Sequence, residues 1–173
     1  TDEMGEKSIV IKYRGAEISY KVMVRGITEI SVNAGSVKTE VKIGAAPDAS
    51  GITAMATYNN GDQATLQNSQ LSIQNIDTSA VGVKTLVVKY GSVQTTVNVT
   101  VYGVKSIAVS GISKVIKVGE TLVTSGATAI VTYNDSKSTV ENVSASDLTF
   151  GAFDSSVMGE KNLAVTYLDK TEQ

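Results

Sequence analysis

One motif occurs three times in this chain at a fixed interval. Met4-Gly5-Glu6-Lys7 leads into Ser8-Ile9-Val10-Ile11-Lys12-Tyr13, and Val81-Gly82-Val83-Lys84 into Thr85-Leu86-Val87-Val88-Lys89-Tyr90. Met158-Gly159-Glu160-Lys161 leads into Asn162-Leu163-Ala164-Val165-Thr166-Tyr167. The glycines stand at positions 5, 82 and 159, and the two intervals are equal: 82 − 5 = 159 − 82 = 77. A period of that length is a small domain, longer than one turn of a solenoid. The chain must therefore fold as successive alike units.

Inside the motif apolar residues alternate with more polar ones, the period of a half-buried strand. Ile9, Ile11 and Tyr13 share one face, as do Leu86, Val88 and Tyr90, and Leu163, Val165 and Tyr167. That face is expected on a core and the opposite face towards solvent. After two of the three strands the chain turns back: Arg14-Gly15 leads to Ile18, Tyr20, Val22 and Val24, and Gly91-Ser92 to Thr95, Val97, Val99 and Val101. Short Gly-containing turns between alternating runs signal hairpins over 7–24 and 84–101.

The remainder of the period also recurs. Ile30-Ser31-Val32 matches Ile107-Ala108-Val109, and Asp77-Thr78-Ser79 matches Asp154-Ser155-Ser156, both one full period on. Gly51–Asn59 matches Gly126–Asn134 at an offset of 75, so two residues have entered between Tyr133 and Asp154, where a loop tolerates them. The pattern predicts no helix of ten or more residues and about seven strands per unit, spaced as in a sandwich. The joins at Arg25-Gly26 and Tyr102-Gly103 are short and lack a Gly/Ser tract, which favours a stiff array over freely jointed domains.

Two absences narrow the chemistry. The sequence has no Cys and no His, which removes disulfides, zinc fingers, thiol catalysis and the Ser-His-Asp triad. The net charge is −2 with no basic run to track phosphates, so nucleic acid is not an expected partner. No apolar stretch approaches the ~20 residues of a membrane span. Only 5% of residues are aromatic and none is Trp, so cores must be thin and aliphatic.

The succession Ser-Ile-Ala-Val-Ser-Gly (106–111), Val-Gly-Glu-Thr-Leu (118–122), Ala-Ile-Val-Thr-Tyr-Asn-Asp (129–135), Phe-Asp-Ser-Ser-Val-Met-Gly-Glu-Lys (153–161) and Leu-Ala-Val-Thr-Tyr (163–167) resembles the bacterial immunoglobulin-like repeat family. The nearest group is the one with a Tyr-x-Asp-Gly turn and a Gly-x-Lys strand. The resemblance covers 104–167 well and 27–102 with more drift, and 1–25 resembles only the end of a module. The sequence departs from the pattern at Val37–Ala46, which replaces the usual Val-Gly-Glu, and at Ser136, where Gly is common. The resemblance implies a secreted or surface-anchored bacterial protein in which such modules act as spacers, stalks or binding units. It carries no catalytic residues, and no catalytic, cofactor-binding or metal-binding residue is assigned.

Individual residues fit that expectation. Asp77 and Asp154 could serve calcium at a module junction, but a turn cap is the better reading because no dense Asp cluster stands beside them. Calcium is thus the one cofactor weighed. Tyr13, Tyr90 and Tyr167, and likewise Tyr58 and Tyr133, read as structural residues with the hydroxyl at a domain edge rather than as sugar platforms. Lys7, Lys84 and Lys161 open their strands and sit solvated at the edge, where Lys discourages edge pairing. Asp135, Glu141 and Asp147 are scattered through turn-like sequence, and only the fold could assemble a carboxylate pair for a glycosidase from them.

The expected architecture is all-β: tandem immunoglobulin-like β-sandwich modules with Greek-key type topology plus an N-terminal β-hairpin. Residues 1–26 form an orphan hairpin, 27–103 one module, and 104–173 a second. Counterparts of Val97, Val99 and Val101 would fall at 174, 176 and 178, past Gln173, so the second module is expected to lack most of its last strand. Either a longer array has been cut, or copies assemble head to tail by strand or hairpin addition. The expected function is non-enzymatic: a structural or adhesive tandem-repeat segment of an extracellular protein, in an S-layer, filament or adhesin stalk. Its partners would be neighbouring modules of the same or a like chain, a cell-surface polymer, or a host or other protein ligand. The alternative is a carbohydrate- or protein-binding accessory module of a secreted enzyme, and a viral or phage decoration protein would share the fold.

Overall fold

The structure, a computed structural model, describes residues 3–173; Thr1 and Asp2, which begin the 1–26 segment, lie outside the described residues. Among the described residues there are fifteen strands, three single-turn 3-10 segments and no α-helix. The chain is all-β, as the period-2 alternation requires. It divides into two compact units, the first built from 1–39, 47–76 and 84–99, the second from 40–46, 77–83 and 100–173.

The first unit opens with a ribbon of β1 (Gly5–Tyr13) and β2 (Ala16–Val24), antiparallel from Gly5 opposite Val24 to Tyr13 opposite Ala16. Arg14 (φ 47) and Gly15 (φ 86) turn it; positive φ at both central residues matches the right-handed twist of the strands. Next along the chain come β3 (Ile27–Val32), β4 (Glu40–Lys42), β5 (Ala54–Tyr58), β6 (Gln63–Leu66), β7 (Ser72–Ile73), β8 (Gly82–Tyr90) and β9 (Val93–Tyr102). They make two sheets of an immunoglobulin-like sandwich, ordered β3-β5-β6 and β4-β9-β8-β7, of which β4 and the last residues of β9, Thr100–Tyr102, are counted in the second unit. Ile30, Ala54, Ala56 and Leu66 are buried in the first unit, with Ile27, Leu71, Tyr90 and Val93 packed on them. Two central alanines make this core thin, in keeping with the aromatic-poor composition.

In the second unit β10 (Val104–Ser110), β11 (Thr128–Tyr133) and β12 (Val140–Ser144) form one sheet, and β13 (Thr149–Phe150), β14 (Val165–Tyr167) and β15 (Lys170–Glu172) the other. Ile107, Ala129, Val131, Tyr133 and Val143 from the first meet Val165 and Tyr167 from the second. One local backbone feature recurs at the sequence interval. The 3-10 turns Asn68–Gln70 and Ala145–Asp147 stand one period apart, and each is closed by a reciprocal capping box. The two added residues lie between strands, where 134–139 replaces the shorter 59–62.

Two expectations fail. Ile9, Ile11 and Tyr13 do share a face, but that face is exposed, and Tyr13 is 68% accessible where Tyr167 is 9%. The described residues place no second sheet over the ribbon, so a face patterned for a core has none. The third copy of the motif was expected to be a full strand, yet only Val165–Tyr167 is one. It turns through Leu168-Asp169 into β15, a short hairpin that the sequence did not announce because neither turn residue is Gly.

Candidate functional site

The densest set of interacting polar side chains lies in the second unit, on four strands. Lys42 (β4) places Nζ 2.7 Å from Glu141 Oε2 (β12) and 3.3 Å from the Tyr167 hydroxyl (β14). The Tyr133 hydroxyl (β11) donates to Glu141 and stands 3.4 Å from that of Tyr167. The Lys42 ammonium also lies 4.8 Å from the centre of the Tyr133 ring and 5.7 Å from that of Tyr167, within cation–π range. Beside it, the Ser136 N–H and hydroxyl donate to the Glu40 carboxylate at 3.0 and 2.6 Å.

The charge states follow from these contacts. Burial works against the Lys42 ammonium, but hydrogen bonds to Glu141 and Tyr167 outweigh it and hold its pKa above the ordinary lysine value. The bonds from Lys42 and then Tyr133 hold the Glu141 carboxyl below its usual range. Burial, then the bonds to Glu141 and Tyr167, push the Tyr133 phenol far up. Lysine and glutamate are charged, Tyr133 keeps its proton, and the geometry is that of a clamp, with β4 tied to β11, β12 and β14. Among the scattered acids weighed above, Glu141 joins this clamp, while Asp135 is spent on the Thr139 N–H at 2.7 Å and Asp147 on the Ser144 hydroxyl at 2.7 Å. The sequence carried no signal for the clamp, because its members are 99 and 125 residues apart.

A second recurring device closes the joins. After the strand-ending Tyr58, the Asn59 side chain donates to Val24 O at 3.0 Å and accepts from Gly26 N–H at 3.3 Å. After Tyr133, Asn134 accepts from Gly103 N–H at 2.8 Å, and its own N–H donates to Gly103 O at 3.1 Å. Glycine leaves room at both joins: a Cβ on Gly26 would stand 2.1 Å from Met4 Sδ, and one on Gly103 2.1 Å from Asp169 Oδ2 and 2.7 Å from Val81 Cγ1, so these side chains would have to shift. Met4 and Val81 are themselves one period apart. Arg25 adds an ion pair to Asp62 at 2.8 Å and lies 4.6 Å over the Tyr58 ring.

The residues singled out for metal take part in turns. Asp77 accepts from the Ser79 N–H and Asp154 from the Ser156 N–H, each at 2.9 Å. The Ser156 bonds hold Asp154 below the usual carboxylate range. Among the described residues no three His, Cys, Asp or Glu side chains converge as a cation-binding set. Lys7 pairs with Glu3 at 3.0 Å, Lys84 is half-buried, and Lys161 is exposed outside any strand. A cleft of about 630 Å³ in the second unit is bordered by Ile107 and Val109 of β10 and by Leu163, Val165 and Gln173.

Residues 35–101 match the model of the bacterial Ig-like domain, group 3. No curated protein matches the chain. Among solved structures it is similar to domains 4–9 of the surface layer protein SbsC, at 14% identity and a TM-score of 0.30, over 98% of this chain and 34% of that one. The chain thus spans about a third of that structure's length. No helix among the described residues is long and apolar enough to cross a membrane.

Proposed function

We propose that this chain is a structural segment of a bacterial surface protein: an extracellular array of Ig-like modules serving as a stalk or lattice element, whose main partners are neighbouring modules. The observation that carries the reading is the join. At each boundary of the period, an Asn that follows a strand-ending Tyr bonds the backbone of the joining glycine. Hydrogen bonds of that kind stiffen a linker that composition already makes short. The clamp around Lys42 supports it further, since it ties side chains from successive periods and engages Lys42, Glu141, Tyr133 and Tyr167 with one another. Residues 27–103 and 104–173 are the proposed modules, with 1–26 as the end of a preceding module or an assembly element.

The test is labelling of intact cells that make the native protein, followed by electron microscopy of the released material. Label on unbroken cells, with filaments or sheets in the micrographs, is the expected result; label reached only after lysis overturns it. A binding-module reading draws on Tyr13 and Tyr20, two exposed aromatics on one face of the ribbon. They are interleaved there with Ile9, Ile11 and Ile18, a surface better suited to protein than to sugar. Calorimetric titration with calcium addresses the junction aspartates: heat and a raised melting temperature would revive a metal role for Asp77 and Asp154.

A further inference from the structure

Tyr133 and Tyr167, which receive Lys42, have counterparts in the first period, Tyr58 and Tyr90. The residues around them differ. Two residues past Asn134 stands Ser136, whose N–H and hydroxyl hold the Glu40 carboxylate; two residues past Asn59 stands Gly61. Glu141, which holds Lys42, is replaced by Ala64. The first tyrosine ring also has a different neighbour in each unit. Arg25 lies over the Tyr58 ring at 4.6 Å and pairs with Asp62 at 2.8 Å. One period after Arg25 stands Tyr102, whose ring meets that of Tyr133 edge-on with centroids 5.7 Å apart.

These differences decide what each surface can receive. At Tyr133 the Lys42 ammonium finds a carboxylate at 2.7 Å, a hydroxyl at 3.3 Å and a ring centre at 4.8 Å. Tyr102 beside that ring carries no charge to oppose it. At Tyr58 a lysine would lose the carboxylate and meet the Arg25 guanidinium, a like charge on the same ring. A partly desolvated ammonium needs partners, and a like charge in place of one works against binding. The delivering strand fits the surface in spacing. Glu40 and Lys42 are two residues apart, so both leave β4 on the same side, while Val41 between them is buried. After Lys42 the chain turns with Ala45 N–H to Lys42 O and Gly44 N–H to Thr78 O; after Lys117 it turns with Glu120 N–H to Lys117 O and Gly119 N–H to Ser155 O. The triplet equivalent to Glu40-Val41-Lys42 is thus Val115-Ile116-Lys117, which lacks the acid.

We propose that Tyr133, Ser136, Glu141 and Tyr167 form a selective acceptor for a Glu-x-Lys strand, and that β4 of the first period is the partner it selects. The proposal rests on the array reading and deepens it. The two modules are not interchangeable, because the donor pair and the acceptor residues each occur in one period and not in the other. Module order is then specified by side chains rather than by the backbone turns that both periods share. The strand β4 belongs to the first period by sequence and to the second unit by its contacts. Its backbone pairs with Thr100–Tyr102, and its polar side chains end on Ser136, Glu141 and Tyr167. Loss of the acceptor residues therefore loosens β4 itself.

Amide hydrogen exchange on the whole chain reads this loosening. The Ile43 N–H bonds to Tyr102 O and the Gly44 N–H to Thr78 O, each at 2.9 Å, so both exchange when β4 opens. Lys42→Glu and Glu141→Lys each set like charges together, and each is expected to speed exchange at both amides about fivefold. The double variant restores opposite charges and should recover most of the protection. Ser136→Gly with Glu141→Ala writes the first-period residues into the acceptor and should loosen β4 as the single reversals do. The amides of β11, the central strand of its sheet, report that each variant is folded. Where a reversal fails that check, Lys42→Met and Glu141→Gln make a milder cycle, whose double variant should lose no more than either single one. Additive effects in the cycle that is read, or unchanged exchange at Ile43 and Gly44 in the acceptor variants, overturn the proposal. Label that reaches the protein only in broken cells would overturn the array reading and leave these exchange rates as they are.

Discussion

Residues 40–45 and 115–120 make the same turn with the same backbone hydrogen bonds, yet one segment contains a strand and the other does not. The difference lies outside both segments. Glu40–Lys42 has the end of β9 to pair with, and Val41 between them is buried. Ile116 is only half-buried, and Val115 and Val118 on either side stand in solvent. Local sequence is enough to set a turn, where Gly44 (φ 75) and Gly119 (φ 82) supply the backbone angle. A strand needs partners for its N–H and C=O groups, and the partner decides.

The same contrast holds between the ribbon and its equivalent in the first unit, and it gives the largest expected effect. Leu86 is 3% exposed and Ile9, its counterpart one period earlier, is 52%. Leu86→Ala should cost about 2–5 kcal/mol, the usual range for truncating a buried leucine. Ile9→Ala should stay within about 0.5 kcal/mol, as exposed substitutions do. Urea melts at low protein concentration measure both. Equal losses would break the comparison, because they would mean that the ribbon's apolar face is covered in solution.

These pairs also show how far sequence reasoning reaches. The all-β class, both long hairpins and the two-residue insertion were legible, because alternation, turn glycines and a fixed period are local or self-referring signals. The exposure of Ile9, Ile11 and Tyr13 was not. Alternation says which residues share a face and nothing about what lies over it. The shortness of β14 was hidden for the same reason: Gly159–Ala164 has strand-like sequence, yet among the described residues only the Gly151 N–H to Ala164 O bond joins it to a neighbouring strand. The Lys42 clamp joins residues that no periodicity links, so only the fold could reveal it. The asparagine at each join was half legible: Asn59 and Asn134 close the two matching stretches of sequence, and nothing there announces their bonds to the join glycines.

A difference of middle size concerns pH. The clamp belongs to the second unit, and at the position one period before Glu141 the first repeat has Ala64. The folded-state pKa of Glu141 is depressed, so its contribution is present above the ordinary value of 4.5 and lost as pH falls through the folded value. The Lys42 pKa is raised, so its contribution is complete below 10.5 and lost as pH rises through its folded value. Between those limits the clamp is intact. Both side chains are partly exposed, which limits the pair to about 1 kcal/mol. Glu141→Gln should lower the melting temperature at neutral pH and flatten its decline below pH 4.5. Calorimetric scans from acid to neutral check this, and an unchanged acid slope would remove Glu141 as its source.

The smallest effect separates the three hairpin turns. Gly91 supplies the positive φ (57) at the first turn position of the β8–β9 hairpin, whereas Arg14 (φ 47) and Leu168 (φ 50) adopt it in the hairpins β1–β2 and β14–β15. A leucine there carries a left-handed penalty that a glycine does not, on the order of 1 kcal/mol. The next residue is already committed, since Asp169 Oδ1 accepts from the Val104 N–H at 3.0 Å. Leu168→Gly should therefore stabilise the second unit by up to about 1 kcal/mol, less the added entropy of the unfolded chain. Denaturant melts measure the effect, and a midpoint that does not rise would remove Leu168 as a source of strain in this hairpin.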